Sequence, residues 1–66
     1  MRFRKVWPLP EREITQTEIF DMLAEACVTG HIRTTEAKTS NPISACRYLR
    51  DSGIAWITVV SENTIA

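Results

Sequence analysis

The chain has 66 residues, no net charge, and apolar and charged shares of 44% and 24%, values that are ordinary for a small folded domain and argue against disorder. No apolar run reaches the roughly 18 residues that a membrane span needs. The basic start is not followed by the apolar stretch of a secretory signal, so we expect a cytoplasmic protein that makes no contact with a membrane.

The first eleven residues, MRFRKVWPLPE, alternate basic and apolar side chains and then reach two prolines. Pro8 and Pro10 exclude a helix here and favour an extended backbone. Residues 1–13 therefore form either an N-terminal arm or a short strand over Phe3–Trp7, and residues 14–66 form the main domain.

The strongest local pattern predicts a helix over residues 16–28. Thr15 and Glu18 have the spacing of a capping box, and Ile14 and Ile19 that of a hydrophobic staple. Gly30 ends the helix. The expected apolar face comprises Ile19, Phe20, Leu23 and Cys27.

A second helix is predicted over residues 42–52, because Asn41 before Pro42 is typical of a helix start and Gly53 of a helix end. Between the two helices we expect a bridge of strand at residues 31–33 and one helical turn over Thr35–Lys38. The inward face of the second helix is expected to comprise Ile43, Cys46 and Leu49. Two cysteines are too few for a disulfide framework, so we expect Cys27 and Cys46 to be reduced and buried.

The uncharged stretch IAWITVV, residues 54–60, predicts a strand. A turn at residues 61–63 and a short returning strand at residues 64–66 follow. A strand without charge is an aggregation hazard unless the N-terminal arm, the bridge at residues 31–33 or a second copy of the chain covers it.

One pattern spans residues 30–59, GHIRTTEAKTSNPISACRYLRDSGIAWITV. It resembles the small winged helix-turn-helix family common in phage and prophage genes, which combines a T-T-x-E-A turn, a proline-led helix ending in L-R-x-x-G, and an apolar strand. The resemblance implies an α+β winged helix-turn-helix domain with three helices, the second one short, and a small β-ribbon wing. The matching positions are Gly30, Ile32, Thr34 or Thr35, Glu36, Ala37, Pro42, Leu49, Arg50 and Gly53.

In such a domain the outward face of the helix from Pro42 enters the major groove of double-stranded DNA, where Ser44, Arg47 and Tyr48 are expected to contact bases and backbone. The charges favour this interpretation, because residues 1–12 and 31–50 each carry +3 while residues 13–30 carry −4. Arg50 is expected to pair with Glu36. Further contacts to phosphate or a neighbouring groove are expected from Arg33, Thr35, Lys38, Ser40, Arg2, Arg4 and Lys5.

The sequence thus predicts a small DNA-binding protein, either a transcriptional regulator or an architectural recombination factor, acting as a homodimer. The alternative is a winged-helix module that binds a host or phage protein, as an inhibitor or adaptor of an enzyme. Zero net charge, the acidic first helix and two tryptophans favour the alternative. Trp7 and Trp56 would form a partner interface if they lie exposed near each other. Arg47 and Tyr48 are equally compatible with ordinary solvated surface, because any short helix has an outward face.

Catalysis is not expected. The chain offers no credible Ser–His–acid or Cys–His arrangement, and its two glycines form no phosphate loop. His31 is expected at the surface, because one histidine and two inward cysteines do not have the spacing of a zinc site. We therefore expect no metal, no cofactor and no small-molecule substrate.

Overall fold

The computed structural model describes residues 2–35 and 38–60. In chain order it contains the strands β1 (Arg2–Trp7) and β2 (Arg12–Ile14), the helices α1 (Gln16–Val28) and α2 (Pro42–Asp51), and the strand β3 (Trp56–Val60). The three strands form one antiparallel sheet in the order β2-β1-β3. β1 is the central strand, so the two ends of the described chain are joined in one sheet.

One hydrophobic cluster joins the sheet to the two helices. Phe3 is opposite Ile14, and Lys5 is opposite Ile57. Because side chains alternate along a strand and cross-strand partners share a side, Phe3, Ile14 and Ile57 lie on one face of the sheet, and all three are buried. The helices complete the cluster with Ile19, Leu23 and Ala26 from α1 and with Ala45, Cys46 and Leu49 from α2.

The start of α1 follows the sequence prediction closely. The Glu18 amide donates to Thr15 Oγ1 at 3.2 Å, and the Thr15 amide donates to Glu18 Oε1 at 3.1 Å, which completes the capping box. The start of α2 is also as predicted, since the Ile43 amide donates to Asn41 Oδ1 at 2.9 Å with Pro42 at the first helical position. Both predicted helices are confirmed, the second to within one residue at its end.

Glu18 also connects α1 to the sheet. Its Oε2 accepts a hydrogen bond from Arg12 Nη2 in β2 at 2.7 Å. This bond and the one from the Thr15 backbone hold the pKa of Glu18 below its ordinary value, and Glu18 in turn raises the pKa of Arg12. A single carboxylate thus caps the helix and binds the edge strand that precedes it.

The predicted winged helix-turn-helix fold, with three helices and a β-ribbon wing, is wrong; the α+β class is retained. The described residues contain two helices, and β3 pairs with β1 in a three-stranded sheet rather than in a wing. The reason is that Phe3 is buried and its strand pairs with both of the other strands, so the segment predicted as an arm or short strand is the central strand of the sheet. The returning strand at residues 64–66 lies outside the described residues.

The connection between the helices also differs from the prediction. No strand is present at residues 31–33; instead Ile32 is buried and its amide donates to the Ala26 carbonyl at 3.3 Å. The helical turn predicted over Thr35–Lys38 is centred on residues 36 and 37, which lie outside the described residues. Thr34 and Thr35 before them form a turn, and residues 38–41 after them form no helix.

The predicted inward face of α2 is wrong at one position. Ile43 is 50% exposed, and Ala45 takes its place in the core beside Cys46 and Leu49. Steps of three residues fall 60° short of a full turn in a helix with 3.6 residues per turn, so a stripe drawn through residues 43, 46 and 49 drifts off the buried face. Cys46 is buried and Cys27 half-buried, and both are free thiols.

We expect Phe3→Ala to lower the free energy of unfolding by about 3 to 5 kcal/mol, because Phe3 is 2% exposed in the central strand. Urea denaturation followed by circular dichroism measures the loss. Leu9→Ala is the matched control, since Leu9 is 78% exposed and its truncation should cost less than about 0.5 kcal/mol. Equal stability of the two variants would contradict the central position of β1.

We expect the Glu18 carboxylate to make stability depend on pH below about 4.3, the ordinary value for a glutamate. The pKa of Glu18 is lowered in the folded state. Its contribution to the free energy of unfolding is therefore complete above the ordinary pKa and is lost as the pH falls through the lowered, folded-state pKa. Glu18→Gln keeps an oxygen for the capping box but removes the charge, so thermal melts between pH 2.5 and 6 should show a flatter acid limb than the wild type. Glu25→Gln, on the same helix and in no described ion pair, should keep the wild-type slope; a Glu18→Gln slope equal to it would exclude the effect.

Candidate functional site

The two tryptophans lie side by side at one end of the sheet. Trp7 is the cross-strand partner of Trp56, and a bulge between Lys5 and Trp7 shifts the register so that the two indoles project on the same side. Their side chains are 49% and 52% exposed. A small domain that leaves its two largest side chains half exposed at neighbouring positions has an exposed aromatic patch of the kind that binds partners.

Arg50 extends this patch onto the end of α2. Its guanidinium carbon lies 5.8 Å from the centre of the Trp56 ring, within the range of a cation–π interaction. An open recess of about 400 Å³ lies between these groups. We call it the tryptophan recess, and its lining residues are Trp7, Arg50, Gly53, Ala55 and Trp56.

The turn after α2 positions the recess. Gly53 has a φ of +71°, its amide donates to the Arg50 carbonyl at 3.0 Å, and the Ile54 amide donates to the Leu49 carbonyl at 2.9 Å. These two bonds form a Schellman motif, which ends the helix and sends the chain back along it. Arg50 in the last turn of the helix and Trp56 at the start of β3 are thereby held together, although six positions separate them.

A second depression runs between α2 and β3 and shares Arg50 and Trp56 with the first. We call it the edge groove; its volume is about 160 Å³, and it is lined by Ile43, Cys46, Arg47, Arg50, Trp56, Ile57 and Val59. Burial raises the pKa of the Cys46 thiol, so this cysteine is a poor nucleophile at neutral pH. The groove therefore offers two guanidinium groups above an apolar floor and no activated group for catalysis.

The residues predicted to contact DNA from α2 do not form one free face. Arg47 is exposed and lines the edge groove, whereas Tyr48 is half-buried against the core and Ser44 is half-buried. The predicted phosphate contacts in the connection between the helices, Arg33, Thr35, Lys38 and Ser40, are all exposed. Arg47 is therefore exposed, whereas Tyr48, the next residue in the sequence, packs against the core.

The three basic residues at the N-terminus belong to the central strand and do not form a free arm. Arg4 Nη1 donates to Glu11 Oε1 at 3.0 Å, and Lys5 Nζ donates to the Pro8 carbonyl at 2.7 Å. Arg2 is exposed at the start of β1. Two of the three are therefore already engaged by the turn that joins β1 to β2.

The contact of Arg50 with Trp56 was not predicted from the sequence. We expected it to pair with Glu36, which lies outside the described residues; in the described part of the chain its Nε lies 3.4 Å from Asp51 Oδ1 and its guanidinium covers Trp56. The available signal was the L-R-x-x-G end of the helix, since a glycine three residues after an arginine predicts a turn that folds the next strand back toward it. Ile43 and Val59, both about half exposed, were also missed because they were assigned to the core or to a covered strand.

His31 is exposed, and its Nδ1 lies 2.8 Å from Thr29 Oγ1. Across residues 2–35 and 38–60, no group of three or more His, Cys, Asp or Glu side chains is arranged to hold a metal ion. In the same residues neither helix has the length and apolar character to cross a membrane. Searches of protein-family models, curated proteins and solved structures found no significant match to this chain, so the resemblance drawn from residues 30–59 stays a prediction.

We expect Gly53→Ala to lower the free energy of unfolding by about 1 to 2 kcal/mol, because the left-handed backbone, not crowding, opposes a side chain there. Gly30→Ala is the matched control, because Gly30 has a φ of +83° at the end of α1. Its substitution should lower the free energy of unfolding by a similar amount. The tryptophan emission spectrum should shift only in Gly53→Ala, since only that turn positions Trp56. An equal spectral change in both variants would contradict the role of the Gly53 turn.

Proposed function

We propose that the chain is a small protein-interaction module that binds its partner through the tryptophan recess. The observation that carries this proposal is the exposed cross-strand pair of Trp7 and Trp56 with Arg50 over one ring. Tryptophan and arginine are the residues most enriched among those that dominate binding energy at protein interfaces. Here they surround one concave surface.

The backbone that carries the recess supports the same function. Trp7 and Trp56 extend from two paired strands, and Arg50 extends from a helix whose Leu49 is fully buried. A preorganised surface loses little conformational entropy on binding, so more of the contact energy is available for affinity.

Binding of double-stranded DNA remains a separate prediction from the basic blocks at residues 1–12 and 31–50. It receives less support from the geometry, because Arg4 and Lys5 are engaged within the chain and Tyr48 packs against the core. It is the alternative outcome of the experiment below.

The test is affinity capture by the immobilised chain from a lysate of its source organism, followed by binding measurements with the purified partner. We expect Trp56→Ala to weaken binding about 30-fold or more, because truncation of a central interface tryptophan costs about 2 kcal/mol or more. Val28→Ala is the control, since Val28 is an 87% exposed apolar residue on α1 and does not line either depression. Urea denaturation verifies that both variants are folded.

Capture of no partner, or a partner bound equally by Trp56→Ala, would refute the proposal. Anisotropy titration with double-stranded DNA at low salt is run in parallel. Sequence-dependent binding that Arg47→Ala abolishes and Trp56→Ala leaves intact would favour the DNA prediction instead.

A further inference from the structure

The two edges of the sheet differ in how they are protected. β2 has three residues, and two of them, Arg12 and Glu13, are charged. β3 has five uncharged residues, Trp56–Val60, and within residues 2–35 and 38–60 it pairs with β1 alone. Proteins usually protect sheet edges with short strands and charges, so the β2 edge is protected, whereas no described residue pairs with the outer backbone groups of β3.

The edge groove lies directly beside that open edge. Among its described lining residues are two guanidinium groups and no carboxylate. Arg47 forms no ion pair with a described residue, and the contact of Arg50 with its neighbour Asp51 is long at 3.4 Å. The floor between them is apolar, with Ile43 50% and Val59 47% exposed. The groove therefore complements a segment that alternates acidic and apolar side chains.

We infer that the open edge of β3 takes an extended, acidic segment of the partner protein as a fourth strand, an inference that rests on the function proposed above. Backbone hydrogen bonds to alternate residues of β3 supply affinity, as in other cases of strand addition. One row of the added side chains lies over the edge groove, where carboxylates reach Arg47 and Arg50. An apolar side chain at the end of the segment reaches the tryptophan recess, because the two depressions share Arg50 and Trp56.

Charge argues against a second copy of this chain as the occupant. Antiparallel pairing of two β3 edges places the two-fold axis perpendicular to the sheet, so both α2 helices lie on the same face and confront each other. Arg47 and Arg50 of one copy would then face the same residues of the other, and like charges at an interface are unfavourable. With an acidic segment in place of a second copy, the same two arginines make attractive contacts with carboxylates.

The test uses a defined probe: an acetylated, amidated seven-residue peptide of alternating glutamate and valine, titrated into the ¹⁵N-labelled chain of 66 residues at low salt. We expect saturable chemical-shift changes in β3 and slower hydrogen exchange at alternate amides of Trp56–Val60, because a new strand protects only the amides that face it. A peptide with N-methyl groups on alternate residues should bind at least about tenfold more weakly, and a peptide with lysine in place of glutamate should not saturate.

Arg47→Gln should weaken binding of the glutamate–valine peptide about fivefold. Arg12→Gln is the matched control, because it removes one positive charge from the opposite edge strand, and it should bind like the wild type. Unchanged exchange in β3, equal binding of the N-methylated peptide, or equal effects of the two arginine variants would overturn the inference. So would concentration-dependent dimerisation through β3 in sedimentation velocity. If one of these results is obtained but capture of the partner still depends on Trp56, the inference of strand addition is refuted and the proposed function is not.

Discussion

The pairing of β1 with β3 is the constraint on which the rest of the structure depends. It joins the two ends of the described chain, places Phe3 in the core beneath both helices, and sets Trp7 opposite Trp56. A chain of this size buries only about 60% of its unfolded surface, so a central strand that contributes a fully packed aromatic side chain is essential to its stability. Because the same ladder forms the core and aligns the two indoles, the tryptophan recess exists only in the folded sheet.

The pairing of β1 with β3 explains why the two tryptophans are neighbours, but it does not explain why both remain exposed. The chain has two tryptophans, two phenylalanines and one tyrosine, and burial of such side chains is the main stabilising contribution available to a small domain. Phe3 is buried, while both tryptophans remain about half exposed. The bulge after Lys5 turns Trp7 to the side on which Trp56 lies, and the Gly53 turn brings Arg50 over Trp56. Two local features thus converge on one exposed surface, and this convergence supports the binding role proposed above.

Local patterns located both helices, whereas the error in the overall fold arose from long-range pairing. Thr15 with Glu18 and Asn41 with Pro42 located both helix starts, because capping depends on residues within one turn. Nothing local, however, specifies which strand WITVV will pair with. The winged-helix expectation paired it with the residues that follow, whereas the structure pairs it with β1. Trp7 and Trp56 could be named as interface candidates from composition, but the part played by Arg50 depends on a tertiary contact that periodicity along α2 does not reveal.

The distribution of charge on the folded chain bears on the two functions that the sequence allowed. A DNA backbone is bound by a row of free cations, but Arg4 and Arg12 are each paired with a glutamate on the sheet, and Lys5 binds a carbonyl in the adjacent turn. Arg47 and Arg50 instead lie beside an uncharged strand with an open edge and next to two indoles. Phosphates would leave that apolar surface and those backbone groups without partners. An extended polypeptide with acidic side chains would satisfy the cations, the indoles and the strand edge together, which supports the protein partner proposed above.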